Sequence, residues 1–203
     1  MNKPVQPIDK VILRSIRSRP DASVLSSRHF ADFGSQDAIR QALSRLVKAG
    51  KIRRIRRGLY DLPRKHPITG QTAPNIMATV RTLMEGSHAQ WQFAGAYAAN
   101  ALGLSDQVPS KIIILTDGVP RRVSLGKLVL VFRRAAPRNL LGVGRRAGLV
   151  IQALRYVKGS PDMPKHLARL KKDLDADTKK DLAALTPKLV AWMRPLAQEI
   201  TQK

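Results

Sequence analysis

The chain has 203 residues, 43% of them hydrophobic, which suits one large domain or two smaller ones. It contains no cysteine, which excludes disulfides and thiolate metal sites, and its four histidines are scattered, so we expect no metal and no cofactor. No apolar run reaches the length of a membrane span, and residues 1–4 do not begin a secretory signal. These features predict a cytoplasmic protein without a membrane partner.

Charge is the strongest property of the composition. Lysine and arginine number 37 against 14 acidic residues, a net charge of +23. A positive field of this size attracts polyanions, so DNA and RNA are the candidate partners. A basic but merely soluble chain is the alternative.

The first elements are short and helical. Apolar residues at helical spacing predict a helix over residues 7–17, and residues 23–25 favour a short extended stretch. Ser26 or Ser27 then begins a short helix that carries Phe30 and Phe33 and ends at Gly34.

A third helix is predicted from Ser35, a favourable N-cap, to about Ala49. Its apolar side chains recur at the spacing of a buried face. The opposite face carries polar and charged groups: Asp37, Gln41, Ser44 and Lys48, flanked by Arg40 and Arg45.

Residues 51–63 predict a two-stranded hairpin with a turn at Gly58. Ile52 and Ile55 are three apart, which breaks strict alternation and indicates a bulge or a short hairpin. Four arginines lie in the hairpin: Arg53, Arg54, Arg56 and Arg57.

Three helices followed by a two-stranded wing are the order of a winged helix-turn-helix domain, which we assign to residues 1–63. Its third helix can enter the major groove of double-stranded DNA. There Arg40, Gln41, Ser44 and Arg45 are the residue types that read the donors and acceptors of the base edges, and Asp37 can accept from a cytosine amino group. The wing arginines can contact phosphates, and residues 45–65 carry a local net charge of +8. A merely solvated charged face is the alternative interpretation.

Residues 64–74 read as a linker to a second, α+β domain over residues 75–203. We predict helices over residues 75–85, 90–102 and 145–158, and strands over residues 111–116, 121–125 and 127–133 that form a small, mostly antiparallel sheet. From Pro161 a helical tail follows, with breaks near Asp177 and Pro187.

The second domain has its own basic stretch, which either extends the DNA contact or meets an acidic partner: Arg121, Arg122, Lys127, Arg133, Arg134, Arg145 and Arg146. The glycine-rich run over residues 142–148 lacks the Lys-Ser/Thr of a P-loop and indicates a loop and helix cap. Neither paired carboxylates nor a nucleophile motif is recognisable, so we do not expect an enzyme.

The runs over residues 42–60 and 94–105, with the strand and basic hairpin that follow, resemble AbiEi-type antitoxins of type IV toxin–antitoxin systems. The resemblance covers about residues 5–160 and leaves the helical tail unmatched. It implies repression of the chain's own operon through an inverted-repeat operator. It also implies that the C-terminal domain counteracts a nucleotidyltransferase-like toxin.

Two alternatives stay open. One is a stand-alone transcription regulator whose second domain senses a signal or dimerises. The other is an RNA-binding protein, although the aromatic pairs that stack single-stranded bases are missing from the sequence.

Overall fold

A computed structural model describes residues 7–20, 23–63, 65–66 and 70–202. The chain divides into two compact units, Met1–Gly86 and Ser87–Lys203. Each unit has helices and a small sheet, so the predicted α+β class is confirmed. None of the described helices is both long and apolar enough to span a bilayer.

The first unit begins with α1 (Ile8–Arg17), β1 (Val24–Ser26), a 3₁₀ helix (Ser27–Phe33) and α2 (Gln36–Lys48). The Ser35 side chain accepts a hydrogen bond from the Ala38 amide, so this N-cap prediction is confirmed. The buried faces of these helices meet in one core that includes Ile12, Phe30 and Leu43. This packing turns the polar face of α2 outward.

The predicted hairpin consists of β2 (Arg53–Arg56) and β3 (Leu59–Asp61). Gly58 has a φ of 82°, a left-handed conformation that glycine adopts without strain. The register shifts between Arg54 and Arg56, which is the predicted bulge. The extended stretch β1 pairs with the other side of β3, so the sheet has three strands in the order β1-β3-β2.

Part of the predicted linker is structured, because β4 (Lys65–His66) pairs with β5 (Gly70–Gln71). Residues 64 and 67–69 lie outside the described part of the chain. The helix α3 (Ile76–Met84) belongs to the first unit, where the Thr82 hydroxyl donates to the Val24 carbonyl at 2.8 Å and His29 pairs with Glu85 at 2.7 Å. The division between the units therefore follows Gly86 instead of lying within residues 64–74.

The second unit contains a four-stranded sheet in the order β6-β7-β9-β8. Its strands are β6 (Trp91–Ala94), β7 (Lys111–Thr116), β8 (Arg121–Leu125) and β9 (Leu128–Arg134). The β6–β7 and β8–β9 pairs are antiparallel and the β7–β9 pair is parallel, so the sheet is mixed.

The prediction of one helix over residues 90–102 is wrong. Residues Trp91–Ala94 form β6, and only α4 (Ala96–Ala101) is helical. Gly95 has a φ of 64°, which interrupts a right-handed helix, and the aromatic residues before it favour a strand that pairs with β7.

The remaining helices are α5 (Arg146–Tyr156), α6 (Met163–Asp173), α7 (Ala176–Leu185) and α8 (Arg194–Thr201). The first break in the tail falls at Leu174–Asp175, just before the predicted position, because Asp175 caps α7 by accepting from the Thr178 amide at 2.7 Å. Buried residues of the tail share one core with α4 and α5. The tail is therefore a structural part of the second unit.

Candidate nucleic-acid interface

The outward face of α2 and strand β2 border a groove of about 560 Å³. Five of the predicted DNA-binding residues line it together with Val47 and Tyr60: Arg40, Gln41, Ser44, Lys48 and Arg54. The core under α2 and the Arg54–Tyr60 pairing of the hairpin set the positions of these side chains. No acidic residue lines the groove, so its charge is positive.

The polar side chains of the groove are available to a ligand. Gln41, Ser44 and Lys48 are exposed, and within the described part of the chain their side chains have no hydrogen bond or ion pair. Arg40 is 2.9 Å from the Asp37 carboxylate, but both side chains are more than two-thirds exposed. Such an exposed pair is weak and exchanges readily for another partner.

The Arg45 guanidinium is already paired with a carboxylate of the protein. Its Nε donates to Asp9 Oδ2 at 2.8 Å and its Nη2 donates to Asp9 Oδ1 at 2.6 Å, which ties α2 to α1. The hydrogen bonds from Arg45 lower the pKa of Asp9 and raise the pKa of Arg45. We therefore remove Arg45 from the predicted base-reading residues.

Arg53 is also held inside the first unit. Its Nε donates to Asp61 Oδ1 at 2.9 Å, a second bond joins Nη2 to Asp61 Oδ2, and Nη1 donates to the Thr72 carbonyl at 2.7 Å. The Asp61 side chain is 6% exposed, and its hydrogen bonds raise the pKa of Arg53. Arg53 therefore positions the hairpin, and each of its three guanidinium nitrogens already donates a hydrogen bond within the first unit instead of being free for a phosphate.

The other two wing arginines lie beside the turn. Arg57 is exposed, whereas Arg56 is half-buried and lines a hollow with Arg28 and Glu85. The bulge moves Arg56 out of the alternation that begins at Arg54, so only Arg54 of the four reaches the groove. Arg64, and the side chain of Lys65, lie outside what the structure describes.

The basic residues of the predicted second stretch differ in their surroundings. Arg145 pairs with Asp181 of α7 at 2.7 Å, and Arg146 pairs with Asp175, the N-cap of α7, at 3.2 Å. On the sheet, the Arg121 guanidinium lies 4.8 Å from the Phe132 ring centroid. All seven residues of this stretch are exposed, and Arg122, Lys127, Arg133 and Arg134 have no ion-pair partner among the described residues.

A family model described as a family of unknown function (DUF6088) matches residues 11–182. The chain belongs to this family. The DUF6088 match covers parts of both units.

No curated protein matches the chain. A solved structure, the RV2827C protein from Mycobacterium tuberculosis, is similar to this DUF6088 chain at 17% sequence identity and a TM-score of 0.47. The similarity covers 98% of this chain and 82% of that one.

The sequence patterns did not identify two residues near the candidate site of this DUF6088 chain. Tyr60, 8% exposed, faces Arg54 across the hairpin and forms part of the floor of the groove. Arg28 stands on the 3₁₀ helix and reaches the hollow beside Arg56 and Arg57. The predicted bulge could have indicated that the Arg56 side chain points away from the groove. The position of Arg28 depends on tertiary packing, which no local pattern reveals.

Proposed function

We propose that the first unit is a winged helix-turn-helix domain that binds double-stranded DNA, with α2 in the major groove and the β2–β3 hairpin as its wing. The groove between α2 and β2 carries this proposal. A duplex presents phosphates at its surface and donors and acceptors in its major groove. The groove offers cations to the phosphates and exposed polar side chains to the donors and acceptors of the major groove.

Gln41 and Ser44 are the residues that we assign to base edges, with Arg40 beside them. A glutamine amide can make two hydrogen bonds to adenine, and an arginine can make two to guanine. Lys48, Arg54 and Arg57 are assigned to phosphates, because one end of the helix and the hairpin would follow the backbone. A DNA partner agrees with the cytoplasmic location that the sequence predicts.

Replacing Gln41 with alanine tests the assignment of base reading. After selection of a preferred duplex from random sequence, Gln41→Ala should weaken binding to that duplex by about 1–3 kcal/mol and leave binding to unrelated DNA nearly unchanged. Gln198→Ala, which changes an exposed glutamine of α8, is the matched control. Equal losses on both duplexes would reassign Gln41 to the backbone, and a wild-type chain that binds no duplex would end the proposal.

We propose further that the chain represses its own operon and that the second unit counteracts a nucleotidyltransferase-like toxin. The sequence resemblance to AbiEi-type antitoxins supports this activity, and the division into two units would allow the two roles to be separate. A stand-alone transcription regulator is the alternative. A toxin gene beside the chain's own gene, and rescue of growth on co-expression, would favour the antitoxin.

A further inference from the structure

A separate cavity, which shares Arg40 and Tyr60 with the groove, lies between the 3₁₀ helix, the start of α2 and the turn of the hairpin. Its volume is about 340 Å³. A water molecule in the liquid occupies about 30 Å³, so the cavity has room for a phosphate group and part of what is attached to it. Three arginines from three different elements line this cavity: Arg28, Arg40 and Arg57.

The lining of this cavity has an excess of positive charge. None of its lining residues is acidic. Within the described part of the chain, Arg28 and Arg57 have no ion-pair partner, and Arg40 has only its exposed contact with Asp37. Three arginines that share a cavity whose lining holds no acid favour an oxyanion as its ligand.

The floor of the cavity fixes its shape. Ile39, Leu43 and Tyr60 line it and are buried in the core of the first unit. Backbone groups of the 3₁₀ helix and of the Gly58 turn are held by that core and by the sheet. The arginines therefore extend from fixed points, which reduces the ordering cost of binding an anion between them.

We propose that Arg28, Arg40 and Arg57 together bind one phosphate group of the DNA backbone. This inference rests on the proposed function, because the cavity shares Arg40 and Tyr60 with the groove assigned to the duplex. Guanidinium groups match the geometry of phosphate oxygens and can form paired hydrogen bonds with them. Arg28 thereby becomes a DNA contact that lies outside both α2 and the wing.

The salt dependence of DNA binding tests this role of Arg28. Each neutralised phosphate contributes about 0.9 to the slope of log K against log salt, so Arg28→Ala, which leaves Arg40 and Arg57 on the same phosphate, should flatten the slope measurably and by no more than about 0.9 on any duplex. Arg17→Ala removes another exposed arginine, which stands in the last turn of α1 and lines neither the cavity nor the groove, and should leave the slope unchanged. The measurement is fluorescence anisotropy of the full-length chain, and circular dichroism melting verifies that each variant is folded.

The outcomes separate this inference from the proposed function. If Arg57→Ala flattens the slope and Arg28→Ala does not, the inference is overturned and the DNA-binding proposal stands. If wild type binds no duplex, the DNA-binding proposal falls and the phosphate contact falls with it. Adding inorganic phosphate or chloride at the same ionic strength distinguishes the two sources of the anion. If phosphate displaces DNA more strongly than chloride does, and Arg28→Ala abolishes that difference, the cavity also binds free phosphate.

Discussion

Asp61→Asn is expected to weaken DNA binding although it makes the chain more positive. In the structure, Asp61 accepts two hydrogen bonds from Arg53, whose third bond goes to the Thr72 carbonyl. This arrangement fastens β2 to β3 and to the chain that follows the hairpin. An asparagine keeps the shape of the side chain but removes the negative charge opposite the guanidinium.

The size of the effect follows from burial. The side chains of Arg53 and Asp61 are 22% and 6% exposed. Removing one partner of a buried ion pair costs about 3–5 kcal/mol, and the remaining exposure of Arg53, together with the amide oxygen that the substitution retains, reduces this to about 2–3 kcal/mol. A domain of this size loses about 4–8 °C in Tm for each kcal/mol, so the first unit should melt roughly 10–20 °C earlier.

Asp32→Asn provides the matched control. It removes the same charge from an exposed position on the 3₁₀ helix, where Asp32 has no ion-pair partner among the described residues. This control should melt like wild type and bind a random duplex as tightly or more tightly. Anisotropy well below the melting temperature compares the two variants. If Asp61→Asn binds as tightly as Asp32→Asn and melts like wild type, the Arg53–Asp61 pair does not position the wing.

Three further outcomes are expected. The hydrogen bonds from Arg45 lower the pKa of Asp9, so the ion pair contributes fully to stability above pH about 4, and this contribution disappears as the pH falls through the lowered pKa. Asp9→Asn should remove this part of the acid dependence of Tm in melts recorded across pH. Gly148→Ala should destabilise the second unit by about 1–3 kcal/mol in a denaturant titration, because the added Cβ would lie 2.2 Å from the Gly142 carbonyl oxygen. If the second unit is an antitoxin, the full-length Arg57→Ala variant should still restore growth beside the toxin while repression weakens; loss of rescue together with loss of repression would attribute protection to repression alone.

Local signals in the sequence predicted the elements that position the candidate site. Ser35, Gly58 and the three-residue spacing of Ile52 and Ile55 each act within a few residues of themselves, and the structure has the corresponding cap, turn and bulge. The strand Trp91–Ala94 was missed because its small and aromatic residues are compatible with a helix until the pairing with β7 is known. The extent of the first unit was missed for a similar reason, since Thr82 and Val24 are 58 positions apart.

The site itself depended more strongly on long-range contacts. Arg45 and Arg53 have the residue type, exposure pattern and position of DNA contacts when the sequence alone is considered. Asp9 is 36 positions from Arg45, and the Thr72 carbonyl is 19 positions from Arg53, so no local pattern reveals that both arginines are already bound.

The net charge of +23 is therefore a poor measure of the surface that we propose for DNA binding. An arginine that already donates two hydrogen bonds to a carboxylate of the protein contributes less to counterion release when a phosphate approaches, because its charge is compensated within the protein. The two such arginines of the first unit instead hold α2 against α1 and β2 against β3. We expect the affinity for DNA to depend on the few cations around Arg40 that have no strong ion pair. The paired arginines, Arg45 and Arg53, should determine whether those cations are correctly placed.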